Sequence, residues 1–484
     1  MAQAHLHDIS GVDRPVLVCD LDGTLIRTDL LDESFWAALA SRWTAPFAAF
    51  AGLLRGRAAL KSVLAQRGDV DVRHLPYRED ILARLRDWRA QGGKVALVTA
   101  ADRHLAERVA AHLDLFDEVH GSDGGVNLKG GVKAAFLIDR YGAGGFHYIG
   151  DSEADLPVWA ASSGAVTVGA PLSLRQRVRS EGGVEHLDTD LPSFPRALMR
   201  ALRPHQWAKN ILIFLPLLAA HRMDAPGLSQ AVLAFIAFGL LASSVYVIND
   251  LLDLPSDRAH PRKRARPFAS GQLALRHGLW LTPFLLVAGF GLGALLGLGF
   301  VAVLLAYCLT TTAYSMWLKQ VPVLDICTLA GLYTLRIVAG AVATGTPLSV
   351  WLLAFSIFFF FSLAAVKRQA ELVDAVAADR ALNARRGYRA EDLPLVAMMA
   401  VGAGYVSVLV MALYVNSPEV TDLYARPEVL FGICAILLFW ISRIVLITHR
   451  GKMHDDPVVF AAKDKVSYAA FGLVFLLVVV GAQL

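Results

Sequence analysis

Val16-Leu17-Val18-Cys19-Asp20-Leu21-Asp22-Gly23-Thr24 places four apolar residues directly before two carboxylates and a glycine. A short run rich in β-branched residues reads as a buried strand ending in a turn. Residues 94–99 (KVALVT) and 146–150 (FHYIG) repeat the pattern. Between them, Asp80 to Gln91 and Asp102 to Leu113 are charged stretches with helical spacing. Strands alternating with helices predict an open, mostly parallel α/β sheet with its reactive residues at the carboxyl ends of the strands. Polar groups fall at those ends: Asp20 and Asp22 after the first run, Thr99 closing the second, and Asp151 with Asp155 after the third. Gly130-Gly131-Val132-Lys133 lies between the second and third.

Composition divides the chain. Its 484 residues are 55% hydrophobic and 18% charged, against about 25% charged in ordinary globular chains. A wholly soluble protein and a disordered one are both excluded. Residues 1–195 hold 21 Lys and Arg against 26 Asp and Glu, net −5, and residues 196–484 hold 25 against 16, net +9. An acidic domain, 1–195, thus precedes a basic and very apolar domain, 196–484. Met1 to Arg14 has no apolar core of signal-peptide length, so the N-terminal domain is expected in the cytosol. Cys19, Cys308, Cys327 and Cys434 form no CxxC pair, which argues against a disulfide framework or a zinc site.

The order DxDGT, a Thr after a strand, a Lys and then GDSxxD resembles the haloacid dehalogenase (HAD) superfamily of phosphotransferases over roughly the first 190 residues. The resemblance implies a Rossmann-like α/β fold with a helical cap. It implies Asp20 as nucleophile, Asp22 as general acid and base, and Thr99 and Lys133 on the transferring phosphoryl group. Lys129 is a rival for the lysine role, and Lys133 fits better because it would open a helix. The implied Mg²⁺ set is Asp20, Asp22, Asp151 and Asp155. The insert from Ile26 to Lys94 has the length of a cap. Its stretch Phe35 to Leu64, with Trp36, Trp43, Phe47 and Phe50, is expected to be a helical hairpin whose aromatics form a cap core rather than touch a membrane.

From about His205 onward, apolar runs approach the ~20 residues that a bilayer demands. Nine are counted, at about 208–221, 229–250, 278–297, 298–317, 322–343, 349–367, 395–415, 428–448 and 463–482. Loops after the even-numbered runs carry most of the basic residues, and those on the other side have little beyond Arg222 and Arg426. The positive-inside rule makes the basic loops cytoplasmic, giving an all-α multi-pass bundle of about nine transmembrane helices in a bacterial plasma membrane.

Asn249-Asp250-Leu251-Leu252-Asp253-Leu254-Pro255-Ser256-Asp257 closes the second run. Asp250, Asp253 and Asp257 share a face if the helix continues past Pro255. Three carboxylates beside a bilayer repel one another, and Mg²⁺ carrying a diphosphate would relieve that. Arg258, Arg262, Lys263 and Arg266 follow at once and suit phosphate oxygens. Arg336, inside run five, is expected to face a polar cavity or to pair with another helix. Phe358 to Phe361 read as lipid-facing filler.

The NDxxDxxxD element, the many spans and a following RPxASG segment resemble the UbiA superfamily of intramembrane prenyltransferases. Leu202 to Asn210, the DRxHPxKRxRPFASG context, Tyr314 to Lys319 with Asp325, Lys367 to Leu372 and His454-Asp455-Asp456-Pro457 look like its decaprenyl-phosphate phosphoribosyltransferase branch. A second DxxxD motif is lacking, with Glu371 and Asp374 only a near match. The resemblance implies phosphoribosyl diphosphate as donor and polyprenyl phosphate as acceptor, giving polyprenyl-phosphoryl 5-phosphoribose for cell-envelope arabinan. Asp250, Asp253 and Asp257 would hold Mg²⁺. Asn249, Arg258, Arg262, Lys263, Arg266, Lys209, Tyr314, Lys319, Arg336, Lys367, Asp455 and Asp456 would contact substrate. The HAD domain could remove the 5-phosphate. The alternatives are an aromatic-acceptor prenyltransferase using prenyl diphosphate beside an unrelated phosphatase, and a non-catalytic membrane scaffold. Nothing points to nucleic acid, and a homo-oligomer is compatible with the sequence.

Overall fold

A computed structural model of the chain describes residues 14–482 except 43, 55, 124–125, 190, 223, 378–386 and 454–455. The expectations resting on Met1 to Asp13, Trp43, His454 and Asp455 lie outside the described residues. By internal contacts the chain forms two compact units. One comprises residues 1–202 with Tyr246–Thr282, and the other Arg203–Val245 with Pro283–Leu484. The helices Ala225–Leu252 and Arg276–Ala294 each contribute to both.

In the first unit the predicted strands are β1 (Val16–Cys19), β2 (Val95–Asp102) and β4 (Phe146–Gly150). The sequence reading missed β3 (Glu118–Ser122), β5 (Gly164–Val168) and β6 (Val184–Leu187). β3 and β6 are less buried than the central strands and carry charged residues, so their apolar signal is weak. All six strands are parallel, in the order β3-β2-β1-β4-β5-β6. Alternate residues serve the two faces. Leu17, Cys19, Val95 and Leu97 join one core, while Val18, Ala96, Phe146 and Tyr148 join the other. Strand order reverses beside β1, and the carboxyl ends of β1, β2 and β4 meet at this switch point.

The insert after β1 forms three helices, α1 (Leu30–Ser41), α2 (Ala45–Leu54) and α3 (Arg57–Arg67), rather than a hairpin. α4 (Glu79–Ala90), α5 (Arg103–Leu113) and α6 (Gly131–Tyr141) then flank the sheet. Ala38, Ala45 and Leu64 centre a small cap core against which Phe35 packs. Trp36 is buried, but Phe47 and Phe50 are exposed, which corrects the expected cap core.

Residues 246–282 belong to this same unit through specific contacts. Arg258 donates from Nη1 and Nη2 to Glu33 of α1, at 3.0 and 2.6 Å, and from Nε to the Ala269 carbonyl. Both side chains of the pair are buried. Gly271 adopts φ +71°, and a Cβ there would stand 2.5 Å from Cβ of Arg27.

Among the described residues, eight helices are long and apolar enough to cross a membrane. The chain is a multi-pass membrane protein. The first of the nine expected runs is the exception. Pro204–Phe214 is a 3-10 segment, followed by the five-residue helix Leu215–Ala219. Pro216 lacks the N–H that would continue a ladder through this point. Gly340 lets the segment lie close, since a Cβ there would come within 2.0 Å of the Ile213 carbonyl oxygen.

Removing one partner of a buried pair strands a charge, at a cost of about 3–5 kcal/mol. Glu33→Ala should therefore lower the thermal stability of the full chain in detergent markedly, while Glu33→Leu with Arg258→Met should restore most of it. A double variant no more stable than Glu33→Ala would show that the pair's charges are not what holds α1.

Candidate functional site

The tight turn after β1 creates the first site. Gly23 has φ +75°, and a Cβ at this position would lie 2.3 Å from Oδ2 of Asp151. Its missing side chain lets the loop after β4 close on the loop after β1. Ligand oxygens of Asp20, Asp151 and Asp155 then lie within 4.8 Å of one another. Lys133, in the first turn of α6, reaches Asp20 Oδ1 at 3.0 Å and Asp155 Oδ1 at 3.8 Å. It also donates to the Tyr148 hydroxyl, which in turn donates to Asp155, both at 2.8 Å. Thr24 donates to Asp151, and Ser152 donates to Asp155 from both its N–H and hydroxyl.

Asp22 departs from the expected metal set. Its Oδ1 accepts the N–H of Leu30, the first residue of α1, at 2.9 Å. The turn thus points the two motif carboxylates to different tasks: Asp20 joins the acidic cluster and Asp22 is held by the cap. Thr99 is buried within β2, three residues before its end rather than closing it, its hydroxyl accepting the Ala101 N–H. Lys129 lines the cavity wall, whereas Lys133 is the lysine at Asp20. Tyr148 was missed, because a tyrosine within an apolar strand gives no motif signal.

The cavity measures about 560 Å³. Asp20, Asp151 and Lys133 contribute polar groups to it, Leu53 and Leu60 come from the cap, and Leu275 and Arg276 come from the 246–282 segment. Burial pushes the Asp20 carboxyl up, against the pull of Lys133. Burial and then Asp29 push Asp22 well up. Burial, followed by the charges of Asp20 and Asp155, raises Asp151 to about 7. Burial works against the Lys133 ammonium, but Asp20 and Asp155 outweigh it and raise its pKa. Acidic oxygens this close, with one lysine among them, fit a divalent cation.

In the same unit, the 249–257 motif does not run as one straight helix. The helix ends at Leu252, Asp253 caps the next one, Leu254–Ala259, and Pro255 lies in its first turn. Arg266 Nη1 bridges Asp250 Oδ1 at 3.0 Å and Asp257 Oδ2 at 2.5 Å, with Lys263 4.0 Å from Asp257. Burial raises the Asp257 carboxyl despite Arg266. Arg266 and the more distant Lys263 thus offset the two buried carboxylates, Asp250 and Asp257. Arg258 corrects the expectation of a phosphate contact, because Glu33 and the Ala269 carbonyl occupy its donors. Arg262 is exposed, and Asn249 is half-buried.

The second unit contains a different arrangement. Lys209 and Lys367 converge on Asp456 Oδ2 at 3.3 and 3.0 Å, and Tyr333 donates to its Oδ1. Burial alone would push the Asp456 carboxyl up, but Lys367 and Lys209 hold it well below the carboxylate range. Two ammonium groups on one carboxylate leave a positive excess suited to an anion. Arg336 is buried, donating to Asn210, the Leu332 carbonyl and Tyr307, with the Phe238, Tyr307 and Tyr333 rings around it. This is the helix-pairing role rather than an open cavity position. Arg368 pairs with Asp325 and Glu371, and Asp325 also accepts from Tyr388. Tyr314 interacts electrostatically with Lys367 and Arg368, and Lys319 is half-buried.

A carboxyl raised to about 7 in the fold, against about 3.9 unfolded, binds extra protons in the native state between those values. Its contribution to stability therefore falls as pH rises through that window. A cation that binds the ionised cluster offsets this loss. Mg²⁺ should raise the melting temperature more at pH 8 than at pH 5, and Asp151→Asn should shrink the difference. Equal shifts at both pH values would contradict a cation held by this cluster.

Comparison with known proteins matches the chain to two families in succession along its length, the second match running through both compact units. Residues 211–463 match the UbiA prenyltransferase family, and residues 17–159 match haloacid dehalogenase-like hydrolases. Uncharacterized protein y4nM of Sinorhizobium fredii is 40% identical over 466 residues, 95% of this chain and 90% of its own length. Nodulation protein NoeC of Azorhizobium caulinodans is 38% identical over 282 residues, 57% of this chain and 92% of NoeC. Decaprenyl-phosphate phosphoribosyltransferase of Mycolicibacterium smegmatis is 39% identical over 180 residues, 36% of this chain and 57% of that transferase. The chain belongs to the UbiA prenyltransferase family and carries an N-terminal haloacid dehalogenase-like domain, which together mark it as a membrane enzyme.

Proposed function

We propose that the chain transfers 5-phosphoribose from phosphoribosyl diphosphate to polyprenyl phosphate, and that its HAD domain then removes the 5-phosphate. The observation that carries this reading is the pair of lysines on Asp456. A surplus ammonium group suits the monophosphate of a lipid acceptor. The 39% identity over 180 residues to a decaprenyl-phosphate phosphoribosyltransferase supports it. Asp325 and Glu371 are both tied to Arg368, which argues against a second acidic motif holding a prenyl diphosphate. The basic loops support a cytoplasmic face for both reactions, in the plasma membrane of a bacterium, where the product would suit cell-envelope arabinan.

In the transfer, an oxygen of the lipid phosphate attacks C1 of the ribose. The bond from C1 to the diphosphate oxygen breaks, and diphosphate leaves. Asp250 and Asp257, with Asp253 beside them, would hold Mg²⁺, which supplies charge neutralisation for the departing diphosphate. Arg266 and Lys263 stand on the same carboxylates and would turn to the phosphates. Lys209 and Lys367 would orient the acceptor oxygen, so positioning supplies much of the catalysis.

In the hydrolysis, Asp20 attacks phosphorus and the bond to the ribose 5-oxygen breaks. Asp22, kept protonated by its burial, donates to that oxygen. Water then attacks the aspartyl phosphate, returning a proton to Asp22 and releasing phosphate. Asp20, Asp151 and Asp155 would hold Mg²⁺, which shields the phosphoryl charge. Lys133 neutralises the phosphoryl oxygens, and Thr99 would bind one of them.

Membranes given phosphoribosyl diphosphate and polyprenyl phosphate should accumulate the 5-phosphorylated lipid with Asp20→Asn and the dephosphorylated lipid with the parent. Identical products would refute the coupling of the two steps. Lys367→Ala should raise KM for polyprenyl phosphate by about tenfold, on the order of the ~1.5–3 kcal/mol of a charged hydrogen bond, with little change for the donor. A KM rise confined to phosphoribosyl diphosphate would reassign this lysine.

A further inference from the structure

The cap helix α2 is Ala45-Pro46-Phe47-Ala48-Ala49-Phe50-Ala51-Gly52-Leu53-Leu54, with no charged or polar side chain. Ala45 and Gly52 are buried, while Phe47, Phe50, Leu53 and Leu54 are exposed by 70, 63, 52 and 75%. Positions 47, 50 and 54 follow one another at helical spacing and form a single apolar stripe. A large exposed apolar patch on a soluble domain marks an interaction surface.

The same compact unit identifies the surface it meets. It includes the ends of two membrane-spanning helices, Tyr246–Leu252 and Arg276–Thr282. α1, which leads directly into α2, lies near both. Glu33 pairs with Arg258, six residues beyond the end of the first span, and Asp32 lines the same cavity as Arg276, the first residue of the next, within reach of its charge. The cap is thus fastened at the membrane boundary through the helix that precedes α2. An apolar, uncharged helix at this level fits the headgroup–acyl boundary of the chain's own bilayer, where interfacial helices bury their apolar faces.

The stripe also leads to the phosphatase-like cavity. Leu53 of α2 and Leu60 of α3 line it, together with Leu275 and polar groups that include Lys61 and Arg276. The leucines offer the chain of a lipid-linked phosphate ester apolar surface that a water-borne sugar phosphate does not need. We infer that α2 lies in the membrane surface and that the HAD domain takes its phosphomonoester from the bilayer, as a lipid-linked substrate. The inference rests on the phosphatase reading and names its substrate class.

The test uses the full chain in phosphatidylethanolamine–phosphatidylglycerol proteoliposomes, with phosphate release measured from polyprenyl-phosphoryl 5-phosphoribose and from soluble ribose 5-phosphate. Phe50→Ser with Leu54→Ser should lower kcat/KM for the lipid about tenfold or more and leave the soluble ester unchanged. Phe50→Leu with Leu54→Phe should keep both activities. A serine variant that loses both activities in parallel, or neither, overturns the inference, as does a serine variant that changes the oligomeric state of the protein in detergent, since a second copy would then cover the stripe. A parent chain hydrolysing ribose 5-phosphate but not the lipid overturns this inference and the coupled second step, and leaves the phosphatase reading standing. A parent inactive on both overturns the phosphatase reading and this inference with it.

Discussion

The buried ion pair between Arg258 and Glu33 ties the chemistry of the first unit to the segment that follows a membrane span. Glu33 lies one turn into α1, and the N–H of Leu30, at the start of that helix, holds Asp22. A displaced α1 would release the carboxylate that, in the proposed hydrolysis, manages protons. Asp32, on the same helix, shares a cavity wall with Arg276 at the start of the next span. A single guanidinium, desolvated and committed to one carboxylate, therefore sets the frame for both the cap and the acid–base group. Such a pair adds little net stability over an apolar replacement, but it specifies position.

Charge imbalance distinguishes the sites. Around Asp20, acidic oxygens outnumber the single lysine, and burial together with the charges of Asp20 and Asp155 raises Asp151 to about 7. Around Arg266, two buried carboxylates share one guanidinium. At Asp456 the imbalance is reversed, with two lysines on one carboxylate. The first arrangement favours a cation, the second is offset by Arg266 with Lys263, and the third favours an anion. A phosphoryl group to be removed and an acceptor monophosphate are the ligands that the first and third suit in the proposed sequence of reactions.

Much of this was legible in the residue order. β1, β2 and β4 stood out because buried strands at the centre of a parallel sheet are nearly continuous in apolar residues. The carboxylates after them were legible because the same topology puts strand ends at the site. β3 and β6 were not, since their exposed, charged positions dilute the pattern. The 208–221 run matched a span in composition, yet Pro204, Pro216 and the close approach at Gly340 give it a 3-10 course. Arg258 was misread for a different reason. In sequence it is one basic residue in a basic loop, and its partner lies 225 positions away. Long-range pairing of that kind leaves no local trace. The exposed face of α2 was likewise hidden, because composition alone cannot separate an apolar helix that is buried from one that meets lipid.

In the proposed scheme the chain is a two-step enzyme on one lipid carrier, with positioning by charge at each step. Product stoichiometry tests that scheme most directly. Purified full-length protein, given Mg²⁺, phosphoribosyl diphosphate and polyprenyl phosphate, should release one diphosphate and then one inorganic phosphate for each lipid converted, with the phosphate lagging. Release of diphosphate from a prenyl diphosphate and an aromatic acceptor, with phosphoribosyl diphosphate left unconsumed, would contradict it.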